Sequence, residues 1–260
     1  MLKTDLKKVK ENDKYKVDKQ ANGTPVKVSG DFRWYGGAGS ILPNVEITTI
    51  FLGSNWSKNT NLITSVNQFF TDITTRTTYI TNLSEYSADG LTIGAGKLVK
   101  TITIPDHLTS SLSDYYLQNR IKSLINARTL PTPNVNSLYF VFIDPSATVF
   151  MADGSQSSVD FLGYHGFLNT TPTSNYAIIP FPSDSDVSEM GLSTTIDAMT
   201  VISSHELGES ITDSGASIGW YDMNNGEIGD ICEGYYKTIT VGSNTWAVQY
   251  LYSQINQDCQ

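Results

Sequence analysis

Histidine and cysteine are scarce in this chain of 260 residues, with three of the first and two of the second. Two cysteines without a C-x-x-C spacing exclude a thiolate metal site. No window of 18 apolar residues occurs, which excludes a membrane-spanning helix. Basic residues are few outside the start of the chain. Of 17 basic and 26 acidic residues, seven and four lie in the first twenty, leaving ten basic against 22 acidic in the rest. So acidic a body argues against nucleic acid and anionic membrane as partners. The first twenty residues, with Lys3, Lys7, Lys8, Lys10, Lys14, Lys16 and Lys19, contain no apolar h-region and read as a solvated arm rather than a signal peptide. A secreted protein has the same look after trimming.

Residues 1–30 are thus expected to form a Lys-rich flexible arm and 31–260 a single domain, large enough to bury a full core. The first strand is expected at 46–53, followed by a helix over 61–75 with Leu62, Val66, Phe69, Phe70 and Ile73 on one face. A strand over 91–105, a helix over 113–130 capped by Ser113, and a buried strand over 137–145 come next. Short strands are expected at 148–151, 159–164 and 176–180, the last of them, "YAIIP", as the sheet edge. The longest helix then spans about 193–213, capped by Ser193 or Thr194, with Gly215 where it would end. Irregular chain and a hairpin over 237–252 complete an α+β fold, helices packed on a mixed sheet.

The two cysteines, Cys232 and Cys259, share the last thirty residues, which points to one disulfide closing the C-terminal segment; two buried free thiols are the alternative. A disulfide, with few lysines and many Ser, Thr, Asn and Tyr, points outside the cytosol.

The chemistry concentrates in "SSHELGES", residues 203–210. On a helix, i and i+4 share a face about 6 Å apart along the axis, so His205 and Glu209 can ligate one ion while Glu206, rotated aside, reaches a water. That is the division of labour of the H-E-x-x-H zinc helix, with glutamate in place of the second histidine. The third ligand has to come from elsewhere. Asp213, at i+8, is about 12 Å along the helix and serves better as a brace for its end. Glu227 and Asp230, 22 and 25 residues after His205, lie where a returning chain can reach. Asp230 is preferred, because Cys232 two residues on would put it on the same strand face, held by the disulfide. Glu227 is the alternative. His165 in "GYHGF" is an additional candidate, as a ligand or a transition-state donor, against a structural histidine bonded to backbone. His107 reads as surface. One histidine with two carboxylates cancels the charge of a divalent ion, which weakens it as a Lewis acid and widens the choice from Zn2+ towards Mn2+ or Ca2+. The competing reading of the whole cluster is a solvated helix face or a buried hydrogen-bonded network.

The blocks "DAMTVISSHELGESITDS", "GWYD", "GEIGDICEGYY" and "WAVQYLYSQINQDC", with "VEITTIFLG", "NRIKSLINARTLPTPNVNSLYFVFID" and "GYHGF", resemble the bacterial and archaeal branch of the EXORDIUM-like, or phosphate-induced protein, family over roughly residues 46–259. The block order is similar to zincin-type peptidases, in which an edge strand lies above the active-site helix. The resemblance implies an extracellular or cell-surface location, a zincin-like sheet and the Cys232 to Cys259 bridge. It supports the fold more than catalysis, since plant members are associated with growth responses and lack the His-Glu arrangement. Together these readings lead to a secreted zincin-like metallohydrolase acting on a peptide or protein substrate, with His205, Glu209 and Asp230 on the ion and Glu206 as base. The alternative is a non-catalytic extracellular binding protein with a structural ion.

Overall fold

A computed structural model describes residues 29–37, 39–75, 77–214 and 219–260. Almost all of the expected arm, and Gly215, lie outside the described residues. In chain order the elements are β1 (Arg33–Trp34), β2 (Glu46–Leu52), α1 (Thr60–Thr75), β3 (Lys97–Ile104), β4 (Ser111–Ser113), α2 (Asp114–Asn126), β5 (Ser137–Ile143), β6 (Thr148–Phe150), β7 (Tyr164–Leu168), β8 (Ser174–Ile179), α3 (Asp184–Glu189), α4 (Thr195–Thr212), β9 (Trp220–Tyr221), β10 (Tyr236–Val241), β11 (Asn244–Gln249), β12 (Tyr252–Ser253) and β13 (Asp258–Cys259).

The main sheet has five strands in the order β3-β2-β5-β8-β7; the first four are parallel and β7 runs antiparallel at one edge. Every residue of β5 is buried, as a strand covered on both faces requires. Its side chains alternate between two apolar layers. Leu138, Phe140 and Phe142 enter the layer shared with α1 and α4, where Phe70 meets Phe140 at 4.6 Å between ring centroids. Tyr139, Val141 and Ile143 enter the opposite layer with Leu117, Ile121 and Leu124 of α2. Helices therefore cover both faces of a mixed sheet, and the class is α+β. No helix among the described residues is long and apolar enough to cross a membrane.

Several boundaries differ from expectation. Only Lys97–Ile104 of the 91–105 segment is a strand, because Gly94 and Gly96 turn their N–H groups to the carbonyls of Pro43 and Thr74 instead. The second helix stops at Asn126, and Arg128 beyond it takes a positive φ of 57°. Residues 159–163 form no strand. The edge strand is "GYHGF" itself, in β7, and "YAIIP" contributes to the internal strand β8 between β5 and β7. The alternation of β8 into two buried layers follows from that internal position.

Helix α4 starts at Thr194, whose side chain accepts the Asp197 N–H, and ends at Asp213. Its residues from Ala198 to Thr212 are all buried, so it is enclosed rather than amphipathic. The hairpin β10–β11 is tied to it through Thr200 Oγ1, which donates to Ala247 O at 2.8 Å, and Ser204 Oγ, which accepts the Gln249 N–H at 2.9 Å.

Cys232 and Cys259 form a disulfide across 27 residues, which removes the free-thiol alternative. Closing a loop of that length is worth about 3 kcal/mol by restricting the unfolded chain. Cys232→Ala with Cys259→Ala is expected to lower the unfolding free energy by about 2–4 kcal/mol, measured by denaturant titration against the oxidised protein.

Candidate metal centre

Three elements of the chain meet at one turn of α4. The helix supplies His205, Glu206 and Glu209, edge strand β7 supplies His165, and a loop ending in a short 3-10 turn, Asp230–Cys232, supplies Glu227 and Asp230. Asp230 does not lie on a strand, contrary to expectation. The 3-10 turn places it instead, with Cys232 in the same turn anchored to β13 by the disulfide. Asp230 Oδ2 accepts the Glu227 N–H at 2.8 Å, which fixes the loop in this curl.

His205 Nε2 lies 3.2 Å from Glu209 Oε2 and 3.8 Å from Asp230 Oδ1. His165 Nδ1 lies 3.2 Å from Glu206 Oε2 and 3.5 Å from Glu209 Oε2, while its Nε2 lies 3.3 Å from Glu227 Oε1 and 3.2 Å from the Asp213 carbonyl oxygen. Two sets of groups have ligand atoms within 4.8 Å of one another: His205, Glu209 and Asp230, and His165, Glu206 and Glu209. Either set of buried His, Glu and Asp groups can hold a metal ion. They share Glu209.

Burial makes the cluster costly. The side chains of His165, His205, Glu206, Glu209 and Glu227 are all 7 % exposed or less, whereas Asp230 keeps 32 %. Desolvation works against a charged His165, but the Glu227 charge, hydrogen bonds to Glu206 and Glu227, and the Glu209 charge hold its pKa well above the ordinary value. For His205 desolvation is likewise overcome, first by Glu209, then by Glu206 and Asp230. Glu209 is driven well above the carboxylate range by burial first, then by Asp230, against the opposing pull of His205. Four carboxylates still outnumber two imidazoles. Even with both histidines charged and Glu209 neutral, negative charge is in excess, and Glu209 Oε1, fully buried, has no hydrogen-bond partner among the described residues. A divalent cation would supply both the missing charge and the missing partner.

The donor set fits such an ion, and the backbone at two glycines comes too close to the donors to carry a side chain. A Cβ on Gly229 would stand 2.7 Å from His205 Nδ1 and 2.8 Å from Glu209 Oε1; one on Gly163 would stand 2.8 Å from Glu206 Oε1. Gln249, which no motif marks, donates from Nε2 to Gly229 O at 2.7 Å and so fixes the loop against the helix. Its signal is absent from the sequence because the role is set by a partner twenty residues away.

Asp213 acts as the helix-end brace: its Oδ1 accepts the Gly219 N–H at 3.0 Å. His107 is exposed. A solvated helix face is excluded by the burial of α4; the histidines and carboxylates instead form one buried network.

Gly229→Ala pushes a methyl group into the imidazole and carboxylate of the cluster. Its divalent-ion affinity is expected to fall by about 10–100-fold, the range for disturbed support of metal ligands, as read by competition with a chromophoric chelator.

The chain matches no family model, and no curated protein or solved structure is similar to it at a significant level.

Proposed function

We propose that this protein is an extracellular metallohydrolase, most simply a peptidase, in which His205, Glu209 and Asp230 hold a divalent ion and Glu206 is the general base. One observation carries the reading: a buried cluster with excess negative charge, gathered on a helix whose next residue after His205 is a carboxylate set to one side. The resemblance to the EXORDIUM-like family, and the antiparallel edge strand beside α4, agree with a zincin-like arrangement. The disulfide is compatible with an oxidising, extracellular location.

Zn2+ is the first choice of ion, with Mn2+ or Ca2+ as alternatives because oxygen-rich donors lower the preference for zinc. When bound, the ion polarises a carbonyl and acidifies water. The protein does the rest. Glu206 takes a proton from the attacking water as its oxygen bonds to the scissile carbonyl carbon. The C–N bond then breaks, and the same carboxyl returns the proton to the departing amine. His165, with Nδ1 facing Glu206 Oε2 at 3.2 Å and Nε2 facing backbone and Glu227, fixes the direction in which that carboxylate points.

A second reading is favoured by one feature. The cavity beside His205 and Glu206, walled by Gly163, Ile202 and Tyr236, offers only about 30 Å³, the space of roughly one water. So closed a site suits a structural ion in a non-catalytic binding protein.

Elemental analysis of protein purified without added metal is expected to find one divalent ion per chain, lost in Glu209→Ala; a metal-free native protein would sink both readings. Glu206→Gln separates them. In the peptidase, chelator-sensitive cleavage of a peptide library falls by about 10²–10⁴-fold while the ion stays; in the binding protein there is no cleavage to lose.

A further inference from the structure

A second concavity of about 500 Å³ lies between the β10–β11 hairpin and the start of α4, with Ser193, Asp197, Tyr236, Lys237, Thr245 and Tyr250 in its wall. That is the size of an ordinary small-ligand or side-chain pocket. Lys237 is the cation of the wall. Its Nζ lies 5.0 Å from the Tyr250 ring centroid and 5.9 Å from that of Tyr79. The Tyr79 hydroxyl is turned away to Gln249 O at 2.9 Å, so only the ring is offered to the ammonium. Two aromatic rings hold the ammonium in place without neutralising it.

Three cations of the fold have carboxylate partners, Arg33 with Asp31, Lys97 with Glu46 and Arg120 with Asp106, and Lys58 and Lys100 donate to Asn55 Oδ1 and Thr129 O. The Lys237 ammonium has no ion-pair or hydrogen-bond partner among the described residues, and its surroundings there are the two rings. Asp197, the acidic member of the wall, has its carboxylate engaged in the helix cap, accepting Thr194 Oγ1 at 2.6 Å. The N-terminal turn of α4 also presents its partial positive charge on this side.

The pocket adjoins the metal centre. Tyr236 lines both the pocket and the narrow cavity that reaches His205 and Glu206. Asp197 and His205 are eight residues apart on one helix, or about 12 Å along its axis. An extended peptide covers that distance in about three or four residues.

We propose that this pocket is a carboxylate-binding subsite with Lys237 as its counter-ion, and, resting on the peptidase reading above, that it holds the carboxylate of a peptide bound across the metal centre. Burial keeps the Lys237 pKa below the ordinary lysine value, a penalty that a bound carboxylate relieves. The carboxylate can belong to a peptide C-terminus or to an Asp or Glu side chain.

Calorimetric titration of the full chain carrying Glu206→Gln, so that no peptide is consumed, separates these cases with three acetylated pentapeptides. One has a free C-terminus and neutral side chains, one a C-terminal amide and a glutamate, and one an amide and no charge. At least one acidic peptide is expected to bind ten or more times tighter than the neutral one. Which acidic peptide does so identifies the source of the carboxylate. The preference disappears in Lys237→Met and persists in Lys237→Arg; Lys237→Gln takes the place of the methionine variant if that fails to fold. Equal binding of all three peptides, or a preference that survives loss of the ammonium, overturns the subsite. Lys237-dependent binding without cleavage by the unaltered protein leaves the subsite standing and overturns the peptidase reading. Cleavage without carboxylate preference does the reverse.

Discussion

Everything in this fold is arranged around the cost of burying charge. Four carboxylates and two imidazoles meet at one turn of α4, and five of the six side chains are almost wholly removed from water. Such groups repel one another unless protons or a cation intervene. The imidazoles take up part of the excess, and Glu209 is pushed towards its neutral form by burial first and then by the Asp230 charge. What remains is a negative cage with a bare carboxylate oxygen inside it.

A cage of this kind holds its shape only if its walls are stiff. The parallel strands β2, β5 and β8, buried on both faces, form the rigid layer on which α4 lies. From the other side the hairpin is stitched to the helix by Thr200, Ser204 and Gln249. The loop that carries Glu227 and Asp230 is fixed three times: by its own hydrogen bond, by Gln249 and by the disulfide. The same hairpin also walls the Lys237 pocket, and Tyr236 lines both the cationic and the anionic site.

Much of this was legible in advance, and unevenly. The long elements were readable because their signals are local: Phe69, Phe70 and Ile73 recur at the helical period, and β5 is a continuous apolar run. The edge of the sheet was misread. "YAIIP" and "GYHGF" are both short and strand-like, and nothing within either says which one lies against β5. The ligand spacing on α4 is a local property and could be read; the participation of His165 from another strand, and the 3-10 turn at Asp230, depend on contacts across the fold.

The amino-acid sequence by itself determined the helix that carries His205, Glu206 and Glu209, the acidic balance, and the α+β class, since each follows from periodicity, composition or residue type. Only the tertiary structure decided that this helix is enclosed, that Glu227 and Asp230 return to it in a turn rather than a strand, and that the Lys237 ammonium lies beside two tyrosine rings with no carboxylate partner among the described residues. The reason is physical. Burial and charge pairing are properties of neighbours in space, and "SSHELGES" reads the same whether it lies in water or in a core.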